Sequence, residues 1–581
     1  MERNNWLLKK FWNVNFIIRN LILPLGILVF YCALYSWFSK VFLPAGVTPL
    51  FASRLLAYTG VLLVAILGLL SVLVLSKKAG QFTYTYAVKK TGLSDWFLLL
   101  LPLVPVVQYL VNNQEILSAV DILLIIAFFS LISCLVIVIF PLLTGDAEAA
   151  RLSKFIGLAF IFTVTSMPLL SKSFHWYQRG SLKIQLLVLL GSFAITWLLS
   201  RLQIKWVLPA FIVVFFISNT ITQFVQSHQS SPESTGSMDT NPLLLAVSGK
   251  TPTFTPNVYL LLYDAYVSNE TLLAHGIDNS AQEEYLVNEG FTLYPHTYSI
   301  GSDTLGSMST VLNASTDFYG NERRAVSGDG VVQRIFRSLG YKAFGVFPTD
   351  YMFRGIGSHY DYLLPVNVTP VSLQVFRAIL LGEFRFDLGF SDQPYEKFLE
   401  TKQNILQGIL GSPVFVYSHT DVPSHSQNSG ECLPNETELF SQRLDLANAE
   451  MRQDVDTVLA HDPQAIVIIA GDHGPYLTKN CYFLSGVYET SEITRLDIQD
   501  RFGSFLAIRW PAGEYKEYDR ITVLQDMFPA IFATMFQDAG ILDSEIEPII
   551  PSTNAISGAS VDNGIIIGGV NNGQPLFLSG K

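Results

Sequence analysis

The sequence has little charge. Only 15% of its 581 residues are Asp, Glu, Lys or Arg, half are apolar, and the mean hydropathy is +0.36. That balance argues against an ordinary soluble enzyme, and the length is too great for one ordinary domain. No block of Lys and Arg occurs, and the net charge is −11, so a nucleic-acid partner is not expected. Cysteine is scarce. There are four, none spaced as CxxC, which argues against a thiolate zinc site. Cys32 and Cys134 sit inside apolar runs, where an inert buried thiol is the expectation. Those runs also lack ionisable residues at mid-depth, which argues against a transporter and for an anchor.

What the chain does have changes near residue 225. Before it lie seven apolar runs: Phe16–Phe38, Leu55–Leu75, Trp96–Val111, Ile122–Leu143, Phe155–Leu170, Ile184–Leu199 and Val207–Val225. A membrane span needs about 20 such residues. The third and fifth runs are short, so the expectation is an all-α transmembrane bundle of about seven helices, with five also open. Lys9, Lys10, Lys77, Lys78, Lys89, Lys90, Arg151, Lys154, Arg201 and Lys205 fall on one side of that bundle. By the positive-inside rule this side is cytoplasmic, and an odd number of spans leaves everything after Val225 outside.

The transmembrane domain is therefore read as residues 1–225, a Ser/Thr/Pro-rich tether as 226–256, and a second domain as 257–581. In that domain Asn257–Tyr263 and Ala465–Ile469 are unbroken apolar runs, as in strands buried on both faces. Strand patterns at Lys342–Val346, Val414–Tyr417 and Phe505–Ile508 alternate with helical patterns at Gln282–Glu289, Leu305–Leu312, Val331–Leu339 and Glu436–Leu459. The alternation predicts an α/β fold with a mainly parallel central sheet.

Ligands in such sheets bind beyond the carboxyl ends of the strands. Here one strand runs into Asp264 and another into Asp472-His473-Gly474. Both carboxylates also suit turns or helix caps, so that reading stays open. The loop SIGSDTLGSMSTVLN enters a helix near Thr304, either capped by Ser302 or Asp303 or presenting a nucleophile where free amides favour an anion. His419 and His425, in SHTDVPSHS, follow a third strand. Their spacing does not suit one helical face, but a loop could bring them together.

In this order, the strand ending in Asp264, TLGSMSTVLN, SHTDVPSH, IVIIAGDHGP and RFGSFLAIRWP resemble the sulfatase-like division of the alkaline phosphatase superfamily. That division includes lipoteichoic-acid synthases and phosphoethanolamine transferases. The resemblance covers about residues 255–540. It implies that Asp264, Thr304, Asp472 and His473 bind one divalent cation, with Thr304 as nucleophile and His419 and His425 either supporting the ligands or contacting the substrate. Two departures stand out. The Cys/Ser-x-Pro-x-Arg motif of true sulfatases is absent, which argues against sulfate-ester chemistry. Asp264 also stands where lipoteichoic-acid synthases commonly carry Glu.

A set of two carboxylates and one imidazole suits Zn²⁺ or Mn²⁺, with Mg²⁺ less favoured. The expected activity is transfer of a phosphoryl-linked head group, phosphoglycerol or phosphoethanolamine, from a membrane phospholipid to an envelope glycan or glycolipid. A membrane-anchored phosphodiesterase or phosphatase is the alternative, and a non-catalytic envelope binding module a further one. The expected location is a bacterial inner or cell membrane, with the catalytic domain on the periplasmic or extracellular side. Cys432 and Cys481 would then lie outside, where a disulfide between them persists.

Overall fold

A computed structural model describes residues 236–353, 356–365, 394–408, 413–426, 432–482, 488–511 and 515–578, together with Ala119–Cys134 and scattered positions between 22 and 191. The chain divides into two compact units. One comprises Met1–Ser231 with Thr369–Gly389, the other Pro232–Val368 with Phe390–Lys581. In the first, the helix Ala119–Cys134 (AVDILLIIAFFSLISC) overlaps the fourth apolar run and exposes Val120, Leu123, Leu124 and Leu131. Among the described residues no helix is long and apolar enough to cross a membrane. The other predicted spans lie largely outside the described residues.

The second unit is built on seven strands: β1 (Val258–Tyr263), β2 (Thr292–Leu293), β3 (Lys342–Val346), β4 (Tyr362–Leu364), β5 (Val414–Thr420), β6 (Ile466–Ala470) and β7 (Leu506–Arg509), in spatial order β2-β7-β6-β1-β5-β3-β4. The four pairings that join β6, β1, β5, β3 and β4 are parallel; β7 and β2 extend the sheet antiparallel. The mainly parallel sheet expected from the sequence is thus present, as a mixed sheet. Two further strands, β8 (Ser560–Asp562) and β9 (Ile565–Ile567), form a separate hairpin.

Every residue of β1 is buried, because its two faces serve two cores. Leu260 and Leu262 pack on one side with Met308, Phe336, Phe528 and Phe532. Tyr259, Leu261 and Tyr263 pack on the other with Phe398, Phe440 and Met451. This period-two division is why the strand reads as continuous apolar sequence. The helices α1 (Thr304–Asn313) and α5 (Met527–Phe536) pack on the first side, α2 (Tyr395–Gly408) and α3 (Glu436–His461) on the second, and α4 (Arg495–Phe502) sets Ile498 and Phe502 in a third cluster. Within the Ser/Thr/Pro-rich stretch, Met238–Thr240 and Pro242–Val247 form two short helices that bury Met238, Leu243 and Val247 against this core.

Candidate metal and phosphoryl centre

Sheet register brings the first pair of site residues together. Leu262 of β1 lies opposite Ala470 of β6, and both strands run parallel. Asp264 and Asp472 each follow two residues later, so the two carboxylates emerge level at one sheet edge. β5 flanks β1 on the other side, with His419 opposite Leu262 and Thr420 opposite Tyr263. The amide of Asp264 donates to the Thr420 carbonyl at 3.0 Å, extending the ladder past the strand end.

Gly471 sets the approach of Asp472. A Cβ there would lie 1.8 Å from the Tyr266 carbonyl oxygen, so no larger residue fits the crossing. Gly474 is held as tightly, its Cβ position 2.0 Å from the Asp500 carbonyl oxygen. Asp472 then receives the Ala265 and His473 amides on Oδ1, at 2.9 and 3.0 Å. Its Oδ2 is buried without a hydrogen bond, and so is Oδ1 of Asp264.

His473 Nε2 faces both, 3.5 Å from Asp264 Oδ1 and 3.6 Å from Asp472 Oδ2. Its other nitrogen lies 2.9 Å from the Gly474 carbonyl, which accepts only if Nδ1 carries a proton. A neutral ring thus fixed presents the Nε2 lone pair to two carboxylate oxygens. Such an arrangement requires a positive charge between them. Either a proton on Nε2 or a cation ligated by all three provides it. Burial pulls the His473 pKa down, but Asp472 and Asp264 reverse this and the net direction is up. Burial drives Asp264 up, opposed by His473, Ser424, Thr304 and Arg443. One ligand atom from each of Asp264, Asp472 and His473 lies within 4.8 Å of the others, a separation one ion can span.

Thr304 completes the cluster. Its hydroxyl is 3.3 Å from His473 Nε2 and acts to lower the Asp264 pKa. It occupies the first position of α1, while Asp303 caps that helix by accepting from the Gly306 amide at 3.0 Å. The capping task therefore belongs to Asp303, and the Thr304 hydroxyl sits beside free helix N-terminal amides without having to satisfy them.

His419 Nε2 is 4.0 Å from Asp472 Oδ2, and its Nδ1 is 3.1 Å from the Tyr417 hydroxyl. The ring of His425 lies 5.7 Å from that of His473, its Nδ1 buried and unpartnered. Burial lowers both histidines to about 4, and both are therefore neutral near pH 7. All six residues that the motifs single out gather at this edge.

Several neighbours were not assigned from sequence. Tyr476 stacks on His473 with centroids 4.9 Å apart, and its hydroxyl donates to the Ser302 carbonyl. It couples the histidine loop to the turn before Thr304. Ser424, inside SHTDVPSHS, donates its amide to the Asp264 carbonyl at 2.9 Å and acts to lower the Asp264 pKa. The only legible signal for either was proximity in sequence to a candidate histidine. Cys432 and Cys481 form a disulfide with Cα atoms 5.4 Å apart, joining the segment after His425 to the segment after His473.

No protein-family model matches the chain. No curated protein matches it either. Among solved structures it is similar to the zinc complex of the C-terminal periplasmic domain of EcEptC from Escherichia coli. The identity is 11%, the TM-score 0.36, and the match covers 54% of this chain and 95% of that one. It is also similar to the integral membrane lipooligosaccharide phosphoethanolamine transferase A from Neisseria meningitidis (12% identity, TM-score 0.37, 87% and 95% covered). A third is the lipoteichoic acid synthase LtaP from Listeria monocytogenes (11%, 0.33, 56% and 87%). The solved structures that this chain resembles are members of the sulfatase-like/alkaline phosphatase superfamily.

Proposed function

We propose that the chain is a membrane-anchored, metal-dependent phosphotransferase. In this reading it moves a phosphoryl-linked head group, phosphoglycerol or phosphoethanolamine, from a phospholipid to an envelope glycan or glycolipid outside the cytoplasmic membrane. One observation carries the reading. Two buried carboxylate oxygens without hydrogen bonds, one imidazole nitrogen and one hydroxyl at a helix N-terminus converge on a single point. Buried unpaired carboxylates are costly unless a cation compensates them. Asp264, Asp472, His473 and Thr304 are the residues that would hold it, and their donor chemistry suits Zn²⁺ or Mn²⁺ better than Mg²⁺. When bound, such an ion favours the alkoxide form of a hydroxyl and polarises a phosphoryl oxygen.

The chain's own residues supply the rest. The Thr304 oxygen attacks phosphorus, forming the Thr304 O–P bond as the bond from phosphorus to the donor's alcohol oxygen breaks. The Thr304 proton ends on that leaving alcohol. In the second half the acceptor hydroxyl attacks the same phosphorus, the Thr304 ester breaks, and a proton returns to Thr304. His419 and His425, neutral and beside the cluster, are placed to carry these protons. The N-terminal amides of α1 and its dipole favour the anionic phosphoryl group.

The competing reading is a phosphodiesterase in which water attacks and Thr304 is structural. Thr304→Ala separates the two. Since Asp303 provides the cap, loss of the Thr304 hydroxyl should leave the fold intact. Under the transfer reading, turnover falls by orders of magnitude while metal content persists. The wild type, given phospholipid without acceptor, should also yield a mass adduct on the peptide bearing Thr304. Full activity in folded, metal-loaded Thr304→Ala would refute the covalent route.

A further inference from the structure

Arg443 lies on α3, remote in sequence from every motif that forms the centre, and the mechanism above does not use it. It is half-buried. Its Nε donates to the Pro423 carbonyl at 2.6 Å, which fixes the guanidinium plane against the turn 422–425. That turn is itself bound to the site. Ser424 donates its amide to the Asp264 carbonyl at 2.9 Å, and His425 follows directly. Arg443 Nη2 is nevertheless buried with no hydrogen-bond partner.

A buried guanidinium donor left unsatisfied is destabilising. A fixed arginine fork with a spare donor is suited to an oxygen of a phosphoryl or carboxylate group. Charge counting favours a ligand of single negative charge. Asp264 and Asp472 together neutralise one divalent cation, so the ligand set presents no net charge to substrate. A phosphodiester entering that site brings one negative charge that none of these residues balances, and Arg443 balances it.

We propose that Arg443 is a substrate-binding residue whose Nη2 donates to a non-bridging oxygen of the phosphoryl group undergoing transfer. The assignment rests on the phosphoryl-transfer reading of the same site. Carboxylate ligands share part of this chemistry, and acetate serves as the comparison anion.

The test uses the full-length, zinc-loaded protein in detergent with inorganic phosphate as the binding probe and bis(4-nitrophenyl) phosphate as the reactive one. Arg443→Gln should weaken phosphate binding, measured by calorimetry, at least tenfold. It should raise KM for the diester by a similar factor, with zinc content and melting temperature kept. Arg443→Lys should recover part of the loss, and acetate should bind weakly to all forms. In the wild type, phosphate should slow phenylglyoxal modification of the peptide carrying Arg443, a readout that needs no variant to fold. Unchanged phosphate affinity in folded, zinc-loaded Arg443→Gln overturns the proposal. So does a loss of phosphate affinity that accompanies loss of zinc, since Arg443 would then only brace the 422–425 turn. A wild type inert towards the diester but binding phosphate through Arg443 would overturn the transfer reading and the assignment to a transferred group together, leaving Arg443 as a phosphate-binding residue alone.

Discussion

Gly471→Ala tests whether the site depends on one backbone crossing. The added Cβ would stand 1.8 Å from the Tyr266 carbonyl oxygen, whereas real Cβ contacts essentially never fall below 3.0 Å. The two chain segments must therefore separate by at least about 1.2 Å, taking 3.0 Å as the floor. Neither can yield easily. The Gly471 amide donates to the Phe505 carbonyl at 2.9 Å, and its own carbonyl accepts from Ser504 at 2.7 Å. The Tyr266 carbonyl is itself bonded to the Phe505 amide at 3.0 Å. Overpacking of this kind costs about 1–3 kcal/mol, at the upper end where backbone must move. Asp472 is the next residue, so the shift passes directly to a proposed ligand. A displacement of about 1 Å at a reacting centre costs about 100-fold in rate. Gly471→Ala should lose at least that much turnover on bis(4-nitrophenyl) phosphate and should lose bound zinc. Gly408→Ala is the control. It closes α2, its Cβ would meet nothing within 4 Å, and stability should stay within about 0.5 kcal/mol of wild type. Native-state hydrogen exchange of the β1 amides reads the stability of this unit in both variants. Near-wild-type turnover and exchange in Gly471→Ala would refute the argument.

Reducing the Cys432–Cys481 bridge, which closes a 49-residue separation, should lower stability by about 2–4 kcal/mol; unaltered exchange in Cys481→Ala would contradict this. Lys402 is fully buried, 2.7 Å from Asp454 and 3.3 Å from the Thr420 hydroxyl, with the Tyr263 hydroxyl on the same Asp454 at 2.6 Å. Lys402→Met leaves that carboxylate without its cation and should cost about 3–5 kcal/mol, with partial recovery in the double variant carrying Asp454→Leu; equal stability of wild type and Lys402→Met would count against it. Asp526 is raised to about 6 by burial, despite hydrogen bonds from the Val523 and Thr522 amides. Its folded pKa exceeds the unfolded value of about 4, so its contribution is fully present below about pH 4 and is lost as pH rises through 6. Unfolding free energy should fall by roughly 3 kcal/mol across that window, taking about 1.4 kcal/mol per unit. Asp526→Asn should flatten this part of the profile, and an unchanged slope would exclude Asp526 as its source.

The parts of this unit that could be read from sequence are those where one residue type has one strong cause. β1 and β6 are apolar at every position because both faces are buried, and their ends were visible where Asp264 and Gly471-Asp472 interrupt the run. Convergence of the site then follows from topology. β6, β1 and β5 are adjacent and parallel, so residues more than 200 positions apart must share one edge. The elements that escaped notice lack that single cause. In α5, MFPAIFATMF, all ten residues are buried, so no 3.6-residue alternation marks it as a helix. α4, RLDIQDRF, buries Asp497, Gln499, Asp500 and Arg501 because each finds a polar partner that periodicity does not encode. Asp500 accepts from the Leu477 and Thr478 amides and from Asn480, at 2.7, 3.1 and 2.9 Å, and so fixes the loop just beyond His473. Its role, like that of Ser424 and Arg443, exists only once distant loops are folded together. The two site carboxylates are announced by the strands that deliver them. The residues that hold those carboxylates in place are hydrogen-bonding neighbours from other segments, and ordinary polar side chains in ordinary loops serve for that.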